Sequence, residues 1–238
     1  MQREDSGNKP SGTLYVVATP IGNLEDLTLR ALRILEGVSL IACEDTRQTG
    51  KLLTRYNIKK TLISYYHPRE SQKIPRIIDH LKRGEDVALV TDSGTPGISD
   101  PGYPLIREAI TQGVKIVPIP GASALTAALS TSGLPTHRFL FLGFPPPKKE
   151  GTKKLLSSLK DEKSTLVFYL PTRRLHSFLQ TALETIGNRR IVVAREMTKI
   201  HEEFIRGTAE ELAQNLGQKK LKGEATILIE GSKSKPAK

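Results

Sequence analysis

The chain has 238 residues, of which 37% are hydrophobic and 26% are charged. These proportions are those of an ordinary folded protein, and they exclude collagen-like, coiled-coil and wholly disordered chains. No apolar run approaches the ~20 residues of a membrane-spanning helix, and the first 12 residues lack the apolar stretch of a secretory signal. The single cysteine, Cys43, cannot form an internal disulfide, so we expect a cytoplasmic protein.

The net charge of +11 is distributed unevenly. Residues 1–121 carry 16 basic and 14 acidic side chains, a net of +2, whereas residues 122–238 carry 20 and 11, a net of +9. An excess confined to one half indicates a binding surface for a polyanion. A generally basic, soluble surface is the alternative that composition leaves open.

Short apolar runs and amphipathic patterns alternate along the first half. Buried strands are predicted at 14–18, 38–43, 61–65, 86–91 and 115–119, and helices near 27–35, 74–81 and 103–112. Unbroken apolar strands joined by helices are typical of a largely parallel sheet that is covered on both faces.

In the second half, a helix of small residues near 122–133 is followed by a strand and by the proline-rich turn 145–147, which is typical of a hinge or a domain boundary. Further strands are predicted near 165–169, 191–197, 202–207 and 224–231, and helices near 172–186 and 209–216. We therefore predict an α/β protein whose folded part, 13–231, lies between a disordered extension, 1–12, and a basic tail, 232–238.

Three loops of unusual composition follow predicted strands, at 19–23, 44–47 and 92–102. Ligands of open α/β sheets bind beyond the carboxyl ends of the strands. The longest loop, DSGTPGISDPG, has three glycines and two prolines but matches neither nucleotide phosphate loop, G-x-x-x-x-G-K-[ST] or G-x-G-x-x-G. A stiff loop of this kind favours a ligand that the loop backbone recognises through hydrogen bonds rather than through phosphate groups. The alternative is an ordinary surface turn.

Other kinds of site have weak signals. The five histidines show no H-x-H or H-E-x-x-H spacing, so no metal is expected. Cys43 ends an apolar strand, which favours a buried structural thiol. The sequence has no G-x-S-x-G motif of a hydrolase.

Five motifs, in this order, carry a resemblance to a known family. They are TPIGNLEDLTLRAL (19–32), ACEDTRQTGKLL (42–53), DSGTPGISDPGYPL (92–105), PIPGASALTAALSTSGLP (118–135) and EMTKIHEEFIRG (196–207). Together they resemble the tetrapyrrole methylase superfamily and, within it, the branch of ribosomal RNA small subunit methyltransferase I. The resemblance runs from about residue 13 to residue 231.

The resemblance implies a tetrapyrrole methylase-like fold of two α/β domains, 13–121 and 122–231, with S-adenosyl-L-methionine (SAM) bound in the cleft between them. It also implies methyl transfer to the ribose 2′-oxygen of a cytidine in the decoding centre of 16S rRNA, in the small ribosomal subunit, by a homodimer.

The positions that match the family's SAM-facing motifs lie in three loops. They are Pro20, Asp92, Ser93, Gly94, Thr95, Ile98, Ser99 and Asp100, with Gly121, Ala122 and Ser123 as a further wall. For Asp92 and for Asp100, the alternative role is to cap a turn of the loop through the side-chain carboxylate. We favour the ligand role for Asp92 and the turn role for Asp100.

A ribose hydroxyl is a poor nucleophile, so transfer to it benefits from a base or from a cation that stabilises the developing oxyanion. Glu44, Asp45 and Arg47 are the first candidates. The second set is Lys199, His201 and Glu202. A helix N-cap is the alternative role for Asp45, and a local ion pair is an alternative for the whole segment.

Contact with RNA is expected on the basic half. The candidates are Arg138, Lys148, Lys149, Lys153, Lys154, Arg173 and Arg174, with a solvated basic face as the alternative for each. The chain departs from the family nearby: a pattern like Y-E-x-x-H-R is replaced by YLPTRRL, with Leu170 and Arg173 at the acidic and histidine positions. This departure affects the residues of the second half that face the substrate in the family, and not those that match the SAM-facing motifs.

Two rival functions are compatible with parts of this pattern. A tetrapyrrole C-methyltransferase would also favour basic residues, because its substrate is a polycarboxylate, but TPIGN and EDTR resemble the RNA branch. A non-catalytic RNA-binding or ribosome-assembly protein is the other rival. Titration with SAM separates the second rival from an enzyme.

Overall fold

The computed structural model describes residues 11–68, 70–216 and 221–233, in two compact units that divide between Ser123 and Ala124. Most of the predicted extension, 1–12, and of the predicted tail, 232–238, lies outside the described residues. The first unit comprises β1 (Thr13–Val17), a 3₁₀ turn (Leu24–Asp26), α1 (Leu29–Gly37), β2 (Leu40–Cys43), α2 (Thr46–Arg55), β3 (Thr61–Ser64), α3 (Glu70–Lys82), β4 (Val87–Val90), α4 (Tyr103–Thr111) and β5 (Lys115–Ile119).

The five strands of the first unit form one parallel sheet, as predicted, and their order is β3-β2-β4-β1-β5. Side chains alternate between its faces. On β2, Leu40 and Ala42 join a buried cluster with residues of α3 and α4, while Ile41 and Cys43 join another with residues of α1 and α2. Both faces are therefore covered, and Cys43 is a buried thiol, also as predicted.

Side-chain caps set the starts of two helices. The Oγ1 of Thr28 accepts a hydrogen bond from the backbone N–H of Ala31 at 3.1 Å, so α1 begins at Leu29 rather than at the predicted residue 27. Leu27 is nevertheless buried, which explains why it fits the apolar stripe. Asp45 caps α2 in the same way, through the N–H of Arg47 at 2.8 Å.

The second unit comprises α5 (Ala124–Thr131), β6 (Phe139–Phe141), α6 (Lys149–Ser158), β7 (Thr165–Pro171), a 3₁₀ turn (Thr172–Arg174), α7 (Leu175–Ile186), β8 (Arg190–Arg195), β9 (Glu203–Thr208), α8 (Ala209–Leu216) and β10 (Glu224–Ile229). Its sheet has the order β6-β7-β10-β8-β9, and only β6 and β7 run parallel. Side chains of α6, α7 and α8 pack against one face of this sheet.

Two features of the second unit go beyond the sequence expectations. The proline-rich turn lies inside this unit, between β6 and α6, so the expectation of a domain boundary at this turn is wrong. The helix α6 was not among the predicted helices, and it buries few side chains, chiefly Thr152 and Leu156. Among the described helices, none is both long and apolar enough to cross a membrane.

Candidate active site

The candidate active site lies at the carboxyl edge of the first sheet. The strands β2, β4, β1 and β5 are neighbours and run parallel, so the segments that follow them meet at one edge. Glu44 and Asp45 follow β2, Asp92 follows β4, Thr19 follows β1 and Gly121 follows β5. The three loops singled out from composition are thus brought together, with the start of the 121–123 segment beside them.

A two-way backbone bridge joins the loop after β1 to the loop after β4. The N–H of Thr19 donates to the carbonyl of Gly94 at 2.8 Å, and the N–H of Gly94 donates to the carbonyl of Thr19 at 3.1 Å. The Thr19 hydroxyl also donates to the carbonyl of Thr91 at 3.0 Å. Thr19 is buried and was missed as a site residue; the signal was a threonine directly after an apolar strand.

Two glycines permit close approach of backbone at this edge. Gly94 has φ +88°, a backbone conformation that residues other than glycine rarely adopt. A Cβ on Gly121 would stand 3.0 Å from the Cβ of Ala18, which is tight contact. The hydroxyl of Thr95 donates to the carbonyl of Ala122 at 3.3 Å. Among the predicted SAM-facing residues, Gly94, Thr95 and Ala122 are therefore held together directly.

The other predicted SAM-facing positions lie around this group. Pro20 is buried directly after Thr19, whereas Asp92 and Ser93 are exposed at the start of the long loop. Ile98 and Ser99 are exposed and Asp100 is half-buried in a second turn, which the N–H of Gly97 closes onto the carbonyl of Pro101. Ser123 is half-buried after Ala122.

Three carboxylates converge beside the bridge. The N–H of Asp45 donates to Oδ1 of Asp92 at 3.0 Å, and the N–H of Asp92 lies 3.5 Å from Oε2 of Glu44. Burial raises the pKa of Glu44, and the charges of Asp92 and Asp45 raise it further. Although the Asp92 side chain is exposed at the surface, partial desolvation is the main cause that raises its pKa. Glu44 and Asp92 are thus harder to ionise than ordinary carboxyls.

Asp45 and Arg47 form a pair of a different kind. Both carboxylate oxygens of Asp45 accept from the guanidinium of Arg47, at 3.2 and 2.8 Å. Oδ1 of Asp45 also accepts from the backbone N–H of Arg47, which is the helix cap described above. The side-chain hydrogen bond from Arg47 is the main cause that lowers the pKa of Asp45 to about 2. Such a carboxylate is a weak base, and its contacts are those of the helix cap that was the alternative role for Asp45.

The second catalytic set, Lys199, His201 and Glu202, lies in the loop between β8 and β9 of the second unit. Lys199 Nζ donates to Oε1 of Glu196 at 3.2 Å, and Oε2 of Glu202 accepts from the N–H of Thr198 at 2.7 Å. These contacts shape the loop itself. His201 is exposed.

The predicted RNA contacts divide by their surroundings. Lys148, Lys149, Lys153 and Lys154 are exposed at the start of α6 and along it, Arg173 is exposed, and Arg138 lies 3.8 Å from a carboxylate oxygen of Glu162. Arg174 differs from these residues. Its guanidinium donates to the carbonyls of Pro145 (3.1 Å) and Pro146, and lies 3.3 Å from the hydroxyl of Thr152, so it ties the proline-rich turn to α6.

No group of three His, Cys, Asp or Glu side chains within the described part of the chain is arranged to hold a metal ion. The edge combines backbone donors and acceptors, half-buried carboxyls and one guanidinium. Such an arrangement can bind an organic ligand that carries positive charge, and it offers Glu44 as a base of raised pKa.

Comparisons with known proteins agree with this architecture. Residues 13–213 match the family model of Tetrapyrrole (Corrin/Porphyrin) Methylases. Ribosomal RNA small subunit methyltransferase I of Halalkalibacterium halodurans is 47% identical over 98% of this chain and 79% of its own length. The protein of the same name from Thermotoga maritima is 47% identical over 92% of this chain and 99% of its own.

Solved structures show the same fold at lower identity. The methyltransferase CobJ matches with a TM-score of 0.70 and 18% identity, over 96% of this chain and 98% of that one. Uroporphyrin-III-C-methyltransferase of Thermus thermophilus matches with a TM-score of 0.65 and 22% identity, over 92% and 94%. From the matched family model and these close relatives, we conclude that the chain belongs to the tetrapyrrole methylase family, in the group of ribosomal RNA small subunit methyltransferase I.

Proposed function

We propose that this chain transfers a methyl group from SAM to the ribose 2′-oxygen of a cytidine in the decoding centre of 16S rRNA. The names of its relatives support an rRNA substrate, and its family supports methyl transfer. The observation that carries the proposal is the convergence at one sheet edge of the bridged Gly/Pro loop and three carboxylates, one of which, Glu44, has a raised pKa.

The residues at this edge fit SAM chemically. SAM supplies a methyl group on a sulfonium cation and also carries an ammonium, so the carboxylate of Asp92 offsets positive charge on it. Backbone groups of residues 92–95 and 121–123 bind its polar edges. The absence of side chains at Gly94 and Gly121 allows this close approach.

Glu44 acts as the base in this proposal. It accepts the proton of the 2′-hydroxyl as the new C–O bond forms and the bond between the methyl carbon and sulfur breaks. A raised pKa makes a carboxylate a more effective base near neutral pH. Arg47 stabilises the developing negative charge on the oxygen, while Asp45 orients Arg47 through their two-point contact.

RNA binding is assigned to the exposed lysines of α6 and its start, with Arg138 and Arg173. Phosphate neutralisation by these side chains makes binding steeply dependent on salt. Lys199 and Glu202 support the chemistry by holding the 196–202 loop. The homodimer that the resemblance implies and the cytoplasmic location that the sequence predicts are part of the same proposal. Sedimentation of the purified protein tests the homodimer.

The proposal is tested by incubating the protein with radiolabelled SAM and small ribosomal subunits that lack their native methylations. Mass spectrometry then maps the modified nucleotide. Label on the 2′-oxygen of a decoding-centre cytidine is expected. SAM binding without any transfer to the subunits contradicts the rRNA substrate, and label on a porphyrinogen-derived ligand supports the tetrapyrrole alternative.

A further inference from the structure

Aromatic side chains are concentrated at one edge of the second sheet. All six phenylalanines of the chain lie in the second unit, and Phe139, Phe141 and Phe144 are close together in sequence. The first two belong to β6, which ends the strand order of its sheet and, among the described strands, pairs with β7 alone. The rings are therefore grouped along a strand whose outer side is an edge.

Phe139 and Phe141 point away from the helices of the second unit. Leu140, between them, is opposite Leu166 of β7, and Leu166 packs in one buried cluster with side chains of α6, α7 and α8. Because side chains alternate between the faces of a strand, the two phenyl groups lie on the other face of the sheet. Phe139 is 43% exposed there, so its ring is accessible to a partner.

Contacts with Tyr169 of β7 hold the neighbouring rings in position. The ring centroid of Tyr169 lies 5.0 Å from that of Phe141 and 5.7 Å from that of Phe144, and both contacts are edge-to-face. The N–H of Tyr169 also donates to the carbonyl of Gly143 at 3.0 Å. Phe144 is nevertheless 45% exposed. An exposed ring that is already held in place costs less entropy to bind than a freely moving one.

Basic side chains flank these rings in the chain. Arg138 directly precedes Phe139, and Lys148 follows Phe144 by four residues, which limits the separation of the last two Cα atoms to about 14 Å. Arg138 and Lys148 are exposed. The segment 132–160 as a whole carries six lysines or arginines and one glutamate. The surface around the rings is therefore strongly basic.

Exposed rings beside cations are typical of proteins that bind single-stranded nucleic acid, in which bases stack on the rings and cations contact the phosphates. A second copy of this chain is the other occupant that an edge strand with exposed rings suits. In a two-fold symmetric dimer, however, the same surface meets itself, so the basic segments would face like charge. RNA brings the opposite charge, and the observations favour it.

We propose that Phe139 and Phe144 form a surface on which unpaired bases of RNA stack, with Tyr169 as their support and with Arg138 and Lys148 on the adjoining phosphates. This inference rests on the proposed function, because it takes RNA as the partner, and it adds a requirement for unpaired bases. Every residue in it belongs to the second unit. In an RNA duplex the bases already stack on one another, so they are not available to the rings.

The test measures binding of the full-length protein to a short unstructured RNA strand, alone and annealed to its complement, over a range of salt concentrations. Stacking contributes about 1–3 kcal/mol per base, so Phe144→Ala should weaken single-strand binding about 5- to 150-fold and leave duplex binding unchanged. The dependence on salt should stay the same, because no phosphate contact is lost. In contrast, Lys148→Ala should reduce the slope of affinity against salt for both RNAs.

Leu140→Ala is the matched control, because Leu140 is an exposed apolar residue of the same strand on the opposite face. It should bind both RNAs as the wild type does. Phe139→Ala should behave as Phe144→Ala does, and it replaces that variant if Phe144→Ala does not fold.

Ring variants that bind the single strand as tightly as the wild type, or that lose the same factor on the duplex, overturn the proposal. Ring variants that sediment as smaller species than the wild type while keeping its RNA affinity assign the surface to a second copy and also overturn it. A wild-type protein that binds neither RNA overturns it as well, and methyl transfer to small subunits, measured separately, then decides the proposed function.

Discussion

Replacing Thr19 with valine tests whether the Thr19 hydroxyl holds the candidate site together. The substitution keeps the side chain's shape and the two backbone bonds to Gly94 but removes the 3.0 Å bond to the carbonyl of Thr91. Losing this bond and leaving a buried carbonyl unpaired costs about 1–3 kcal/mol, while the added methyl group recovers about 0.8 kcal/mol by burial.

The net loss of unfolding free energy is therefore about 1 kcal/mol, which lowers the melting temperature of a unit of this size by about 3–5 °C. If the same free energy has to be restored when SAM orders the loop, the Kd for SAM rises about fivefold. Scanning calorimetry measures the first quantity and titration calorimetry the second.

Thr61→Val is the matched control, since Thr61 is exposed on the edge strand β3. A surface change of this kind should alter stability by less than about 0.5 kcal/mol. A Thr19→Val protein that matches this control in both melting temperature and SAM affinity would refute the role given to the hydroxyl.

Three further predictions follow from the described contacts. Glu44→Gln should abolish methyl transfer without changing SAM affinity. Glu44→Gln should also raise the melting temperature at neutral pH, because burial raises the pKa of Glu44 and the folded state therefore disfavours its charged form. This gain in melting temperature should vanish below the ordinary pKa of glutamate, where the carboxyl is protonated in both states. Methyl transfer by the Glu44→Gln protein would remove Glu44 from the mechanism. Gly223→Ala should displace the Glu196 carboxylate and destabilise the second unit by at least about 1–2 kcal/mol, and an unchanged melting temperature contradicts this. Arg174→Ala should weaken RNA binding but alter its salt dependence less than Lys153→Ala, whose loss should reduce the slope by about 0.9; equal slopes would make Arg174 a phosphate contact.

The first sheet was predictable from the sequence because its strands are continuous apolar runs separated by helical patterns. In such a sheet, ligands bind beyond the carboxyl ends of the strands, and this rule was sufficient to predict that Glu44, Asp92 and Thr95 lie in one region. The rule could not divide the roles within it. Asp45 and Asp92 are the same residue type in similar loops, but the hydrogen bond from Arg47 lowers the pKa of Asp45, whereas desolvation raises the pKa of Asp92.

The second unit was less predictable for physical reasons. The helix α6 buries only a narrow stripe and starts beside a proline-rich turn, so its periodicity is weak and its lysines dominate the pattern. The pair Arg195 and Glu203 is separated by a loop and meets only through the register of β8 and β9. Local sequence patterns contain no information on such a register.

The position of β1 in the first sheet has a consequence for how the protein is made. Both strands that flank β1 are synthesised long after it: Leu14 pairs with Val87 of β4, and Thr13 with Lys115 of β5. During synthesis β1 therefore emerges as an apolar strand with two unpaired edges, the kind of segment that aggregates most readily. Until residue 119 has left the ribosome, β1 lacks its β5 partner. The loop that follows β5 is therefore the last part of the candidate site to be added to the first sheet.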